Sequence, residues 1–66
     1  MEIILNGEPQ KVESARTISE LVAVLNLPVP ALLVEHNGTA LHRAEWDACA
    51  LHDGDRVEVI RIVAGG

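Results

Sequence analysis

Cys49 and the three histidines, His36, His42 and His52, are the side chains best suited to nucleophilic or metal chemistry, and their placement along the chain speaks against both. No C-x-x-C or H-x-x-x-H pair occurs, and each histidine stands apart in sequence from Cys49 and from the others, so no metal site is expected. Cys49 lies between Ala48 and Ala50. That setting reads as a packed small hydrophobe, whereas a low-pKa nucleophile needs an adjacent cation or a helix N-terminus. Asp53 and Asp55 flank Gly54 and resemble a carboxylate pair, yet Asp-Gly-Asp is first of all a turn. There is no supported Ser/His/Asp grouping and no glycine-rich phosphate loop, so the side chains compose no active site.

One other group can react: the α-carboxylate of Gly66. The chain ends Val63, Ala64, Gly65, Gly66, directly after a regular strand-like run from Arg56 to Ile62. A glycine pair tolerates φ > 0, but here there is no helix to cap and no following chain to turn. A frayed end would explain it. So would a flexible, nearly side-chain-free tail reaching roughly 13 Å from the strand, slim enough for a partner enzyme to thread through a narrow slot. A carboxylate is inert to nucleophiles because its leaving group is oxide. Transfer chemistry therefore requires prior activation, for instance as an acyl-adenylate, and no nucleotide site is legible in this chain. The activation must then come from another protein, and this chain is expected to bind no cofactor itself. The activated Gly66 carbonyl can accept sulfur, giving a thiocarboxylate, or an amine or thiol, giving a conjugate.

Something must position that tail. Ile3 and Leu5 alternate with Glu2, Ile4 and Asn6, the signature of a strand with one buried face, which leaves Ile4 outward. Gly7-Glu8-Pro9 reads as a turn, and Gln10 to Ser14 as a second strand carrying Val12 inward. Thr17-Ile18-Ser19-Glu20 reads as a capping box, with Glu20 reaching back to the Thr17 amide. Ile18, Leu21, Val22 and Leu25 follow at helical spacing, and Pro28 and Pro30 cannot continue the helix, which should end near Asn26. A third strand runs from Ala31 to His36, with Val34 inward, Leu33 outward and Glu35 toward water. Asn37-Gly38 is a tight-turn signal before the short run Thr39 to Leu41. Arg43 to Leu51 should hold a short helical turn presenting Trp46 to the core. Asp53-Gly54-Asp55 then turns the chain into a last strand with Val57 and Val59 inward and Ile60 and Ile62 outward.

A lone hairpin and a lone helix of about ten residues are both unstable in water, so they must cover each other. The order predicts an α+β roll of the β-grasp, ubiquitin-like type: a mixed sheet of about five strands over one main helix, with first and last strands adjacent in the middle. The folded domain is expected over residues 1–62 and the flexible reactive tail over 63–66. Ile4, Leu33, Ile60 and Ile62 would form an apolar patch beside the root of the tail, the kind of surface that meets a partner.

With 66 residues the chain has room for one domain and none for a walled enzyme pocket of ordinary size. A net charge of −5 repels nucleic acid and anionic lipid and favours a basic protein surface. A single cysteine permits no internal disulfide. The first residues lack a basic, apolar leader, and no run approaches membrane-spanning length. The reading is a cytoplasmic protein with both natural ends, monomeric when free.

In sequence the chain resembles the ubiquitin-like sulfur carriers of the ThiS/MoaD-like β-grasp family, most specifically the ThiS branch of thiamine biosynthesis. The resemblance covers the whole chain: a first strand ending in Asn6, Thr17-Ile18 to Leu21, Asn37-Gly38, Arg43 followed by Trp46, Leu51, Asp53-Gly54-Asp55 and Ala64-Gly65-Gly66. It implies that a ThiF-type adenylating enzyme activates Gly66 with Mg-ATP, and that a sulfur donor, through a cysteine desulfurase and sometimes a rhodanese-like domain, makes the thiocarboxylate. A ThiG-type thiazole synthase then takes the sulfur into the thiazole of thiamine. On this reading Gly66 is the modified residue and Gly65 and Ala64 thread the slot, while Ile60, Ile62 and Val63 dock the partner beside Ile4 and Leu33. The protein is then a co-substrate and not an enzyme. The small subunit of molybdopterin synthase and a ubiquitin-like protein modifier remain as alternatives that use the same activated end.

Overall fold

The structure is a computed structural model that describes residues 1–27 and 31–62. Its order is β1 (Glu2–Leu5), β2 (Glu8–Lys11), α1 (Ile18–Leu25), β3 (Leu32–His36), β4 (Thr39–Leu41), a 3-10 turn (Arg43–Glu45) and β5 (Arg56–Arg61). The sheet runs β2-β1-β5-β3-β4, so first and last strands are neighbours at its centre, as the sequence pattern requires. They pair in parallel, while β2 on β1 and β3 on both β4 and β5 are antiparallel.

The first hairpin differs from the sequence expectation. Asn6 and Gly7 both take positive φ, at 50° and 83°, so they alone make the turn. Such two-residue primed turns match the twist of the flanking strands. Glu8 and Pro9, expected in the turn, therefore belong to β2, where Pro9 lies opposite Ile4. Proline is tolerated there because β2 is an edge strand with no further ladder to donate to. Val12, expected in mid-strand, follows β2 instead and is still buried, its amide donating to the Met1 carbonyl.

At the start of α1 the Thr17 hydroxyl accepts from the Glu20 amide at 3.1 Å. The Glu20 carboxylate reaches one residue further back than expected, to the Arg16 amide at 2.7 Å. Thr17 itself bridges to Ala50, which ties the helix start to the segment before β5. Asn26 closes the helix in the left-handed conformation, its amide donating to Ala23. Pro28 and Pro30 lie outside the described residues, as do 63–66.

One face of α1 supplies Ile18, Leu21 and Val22 to a core shared with Ile3, Val34 and Val57 from the three central strands. Trp46 leaves the 3-10 turn and is only 4% exposed, as its place in the sequence suggests, with the Arg43 guanidinium 6.0 Å from the ring centroid. Its indole N–H finds no acceptor among the described residues. No helix among the described residues is long and apolar enough to cross a membrane.

Candidate carrier surface and the network behind it

The outward side of the sheet follows from strand alternation. In β3, Leu32 and Val34 are buried and Leu33 is 51% exposed; in β5, Val57 is buried and Ile60 is 44% exposed. Register then sets Leu33 directly opposite Ile60. Ile62 follows at 46% exposure, its amide donating to the Ala31 carbonyl at 2.6 Å, so pairing with the β3 side continues to the last described residue. Leu33, Ile60 and Ile62 thus share the outer face where β5 leads toward residues 63–66. Ile4 does not join them by register: it is half-buried, with Arg56 and Pro9 as its neighbours, and Arg56 is four residues before Ile60. Val63, Ala64, Gly65 and Gly66 lie outside the described residues.

Two asparagines hold β5 in line. The Asn6 side-chain oxygen accepts the Val59 amide and the Asn37 side-chain oxygen accepts the Arg56 amide, both at 2.8 Å. Each asparagine sits in the left-handed region at a turn, with φ of 50°. A short amide side chain tolerates that conformation and can reach a neighbouring strand from it. The turns therefore extend the backbone ladder at both ends of the strand that delivers the tail.

Behind this strand the fold assembles what spacing along the chain concealed. His36 Nε2 lies 2.7 Å from Asp55 Oδ2, and Cys49 Sγ lies 3.4 Å from His36 Nδ1. Asp55 also accepts from the Asn37 side chain at 3.2 Å and from the His52 amide at 2.9 Å. His36 and Cys49, 13 residues apart in sequence, are thereby brought together, because β3 and the loop before β5 meet. Asp53-Gly54-Asp55 is a turn, as expected, but Asp55 is also a buried hub. The signal available in the sequence was parity: His36 shares the inward face of β3 with Val34.

A Cys-His-Asp row resembles a nucleophilic triad, but its electrostatics are those of a structural network. With Nε2–H donated to Asp55, Nδ1 is an acceptor and the thiol supplies the hydrogen. Burial pushes the Cys49 thiol above its ordinary range, and the negative charges of Asp55 and Glu45 push the same way. For Asp55, burial would raise the carboxyl, but hydrogen bonds from His36, the His52 amide and Asn37 outweigh it and hold the group below the usual carboxylate range. Among the described residues no group of three His, Cys, Asp or Glu could hold a metal ion. Cys49 should therefore react with iodoacetamide at pH 7.5 at least about tenfold more slowly than a free cysteine. Alkylation rates followed by mass spectrometry test this, and a rate equal to that of free cysteine would refute the thiol-donor assignment.

A groove of about 670 Å³ lies on the helix side between α1 and the 3-10 turn, lined by Val22, Ala23, Arg43, Trp46 and Asp47 among others. It contains neither histidine nor cysteine, so it joins no part of the network just described.

The comparisons with known proteins agree with this layout. Residues 3–66 match the ThiS family. The crystal structure of a thiamine biosynthesis protein (ThiS) from Geobacter metallireducens superposes with a TM-score of 0.85 at 35% identity, covering all of both chains. Over its whole length the chain is 24% identical to the whole of the Escherichia coli sulfur carrier protein ThiS. It is 33% identical to part of a thiazole synthase from Magnetococcus marinus, of whose length it spans 20%. With the β-grasp sheet, the central β5 and a match running nearly the full length, the chain belongs to the ThiS family.

Proposed function

We propose that this chain is a sulfur carrier of thiamine biosynthesis, activated at the Gly66 carboxylate by an adenylating partner and discharged to thiazole synthase. The observation that carries this reading is that the family match runs through Gly66 itself. The chemistry balances without a catalytic side chain of this protein. A carboxylate oxygen of Gly66 attacks the α-phosphate of ATP and pyrophosphate leaves. Sulfide then attacks the carbonyl carbon and AMP leaves, which gives the thiocarboxylate; a persulfide donor would instead give an acyl disulfide, which a thiol must reduce to release the donor as a disulfide. In this scheme the fold contributes a docking face, Leu33, Ile60 and Ile62, on the strand that precedes the tail. Residues 64–66 contribute the absence of bulk.

The test is the intact mass, with C-terminal fragmentation, after incubation with a ThiF-type enzyme, Mg-ATP and a sulfide source. Replacement of one oxygen by sulfur on Gly66 is the expected result. An unchanged mass, with an enzyme proven active on its own carrier, would overturn the reading in favour of the molybdopterin branch or a protein modifier.

Docking has its own prediction. Ile60→Glu places a charge at the centre of an exposed apolar pair and leaves the core intact, so the melting temperature should stay within a few degrees. Affinity for the adenylating enzyme should fall about tenfold or more, as for a central contact residue. Titration calorimetry decides, and unchanged affinity would remove the apolar pair from the docking face.

A further inference from the structure

The two flanks of β5 are supported unequally. Toward β3 it is paired from His36–Val57 to Leu32–Arg61, and the Ile62 amide adds a bond to the Ala31 carbonyl. Toward β1 the register takes in only Arg56 and Val57, because the chain turns away at Asn6 and Gly7. The Asn6 amide still donates to the Val57 carbonyl at 2.9 Å, and there the backbone of β1 ends as a partner. A side chain takes over: Asn6 Oδ1 accepts the Val59 amide at 2.8 Å. The last part of β5, which bears Ile60 and leads through Ile62 to residues 63–66, is thus held on that flank by a side-chain oxygen where backbone pairing has stopped. Asn37 is the counterpart at the other end of the strand. It too precedes a glycine, has the same φ of 50°, and accepts the Arg56 amide at the same 2.8 Å. There, however, backbone already fixes the strand: Ile4 of β1 lies beside Arg56, and the Asn37 amide donates to the Arg56 carbonyl.

We propose that Asn6 is a positioning residue for the reaction at Gly66. Through Val59 it holds the exit of β5 in the one orientation from which residues 63–66 set out, so that the root of the tail is in place before the adenylating partner is met. The assignment rests on the carrier reading above and deepens it by naming a residue, 60 positions from the reacting carboxylate, on which charging depends. Order built into the free carrier is order that need not be created on binding. Only molecules whose strand exit is in place can dock, and the apparent affinity scales with that fraction. The effect therefore falls on KM. Once docked, the carboxylate lies where it does in the unaltered chain, and kcat is kept.

The experiment follows the rate of sulfur gain by the full chain, with a ThiF-type enzyme, Mg-ATP and sulfide, over a range of carrier concentrations, for Asn6→Gly, Asn6→Asp and Asn37→Gly. Glycine keeps the left-handed backbone of either turn and removes only the side chain, whereas aspartate keeps an acceptor oxygen. Asn6→Gly should raise KM about fivefold, the order of one hydrogen bond, with kcat unchanged, and should quicken amide exchange at Ile62 by a similar factor. Asn6→Asp should restore both. Asn37→Gly also takes from Asp55 the side-chain donor at 3.2 Å, so it should melt lower than Asn6→Gly and yet be charged with the normal KM. That contrast separates positioning from stability: a KM that follows the melting temperature across the three variants would overturn the proposal. So would a normal KM in Asn6→Gly, or a failure of Asn6→Asp to restore it. If the unaltered chain gains no sulfur, the carrier reading falls instead, and exchange at Ile62 then decides whether Asn6 holds the strand exit; an unchanged rate in Asn6→Gly would show that it does not.

Discussion

Replacing Gly66 with Val, or adding one residue after it, is expected to depress thiocarboxylate formation about a hundredfold or more, because misplacing a reacting atom by about 1 Å already costs that much. In the proposed reaction the adenylating partner holds the Gly66 carboxylate in line with the α-phosphate of ATP. A branched side chain obstructs the slot, and an added residue moves the carboxylate away. The domain should not notice either change. The core is built from Ile3, Ile18, Leu21, Val22, Val34 and Val57, all within residues 1–62. Thermal melts and amide exchange should therefore be unchanged while the gain of sulfur mass vanishes. A variant that melts normally and is still charged at the normal rate would end the proposal that Gly66 is the reacting residue. Cys49→Ser is the natural companion, since a hydroxyl can also donate to His36 Nδ1, and its charging should be normal.

The second large effect falls on stability. Asp55→Ala should destabilise the domain by about 3 kcal/mol, because it strands buried donors that a charged acceptor now satisfies. In a chain of this size that is a fall of roughly 15 °C in melting temperature. Asp53→Ala is the contrast, since among the described residues its carboxylate accepts only the exposed Glu2 amide, at 2.7 Å, and its loss should cost about 1 kcal/mol. The Asp55 contribution carries a definite pH sign. Its folded pKa is depressed, so the stabilisation is fully present above the unfolded value of about 3.9 and is lost as pH falls through the folded one. Denaturant melts of the unaltered protein should accordingly weaken below about pH 4. The Asp55→Asn protein should lack that part of the slope. Equal acid sensitivity of the two proteins would show that Asp55 is not the responsible carboxylate.

Sequence reasoning reached the fold because its signals were local. The 3.6-residue spacing of Ile18, Leu21, Val22 and Leu25 and the alternation in β3 and β5 each specify an element and its buried face. It misplaced the first turn by giving weight to Pro9, whereas the left-handed preferences of Asn6 and Gly7 decided it. The outer apolar pair was legible because parity alone determines which side Leu33 and Ile60 take. Ile4 has that parity too, but register, which parity does not determine, put Arg56 beside it. The His36–Asp55–Cys49 network was hidden for the same reason. Three short segments far apart in sequence meet only once the sheet order is known.

The pairing of β1 with β5 has a mechanical consequence. Parallel strands run the same way, so the start of β1 and the exit of β5 lie at opposite ends of the pair. Bonds from the Ile4 and Asn6 amides to Asp55 and Val57, and from the Val59 amide to the Asn6 side chain, cross the seam between these strands. Traction on the exit of β5 against the start of β1 loads these bonds in shear, all together, instead of peeling them one by one. A pull along β5 therefore meets the whole seam at once, and the domain withstands it without unzipping from one end.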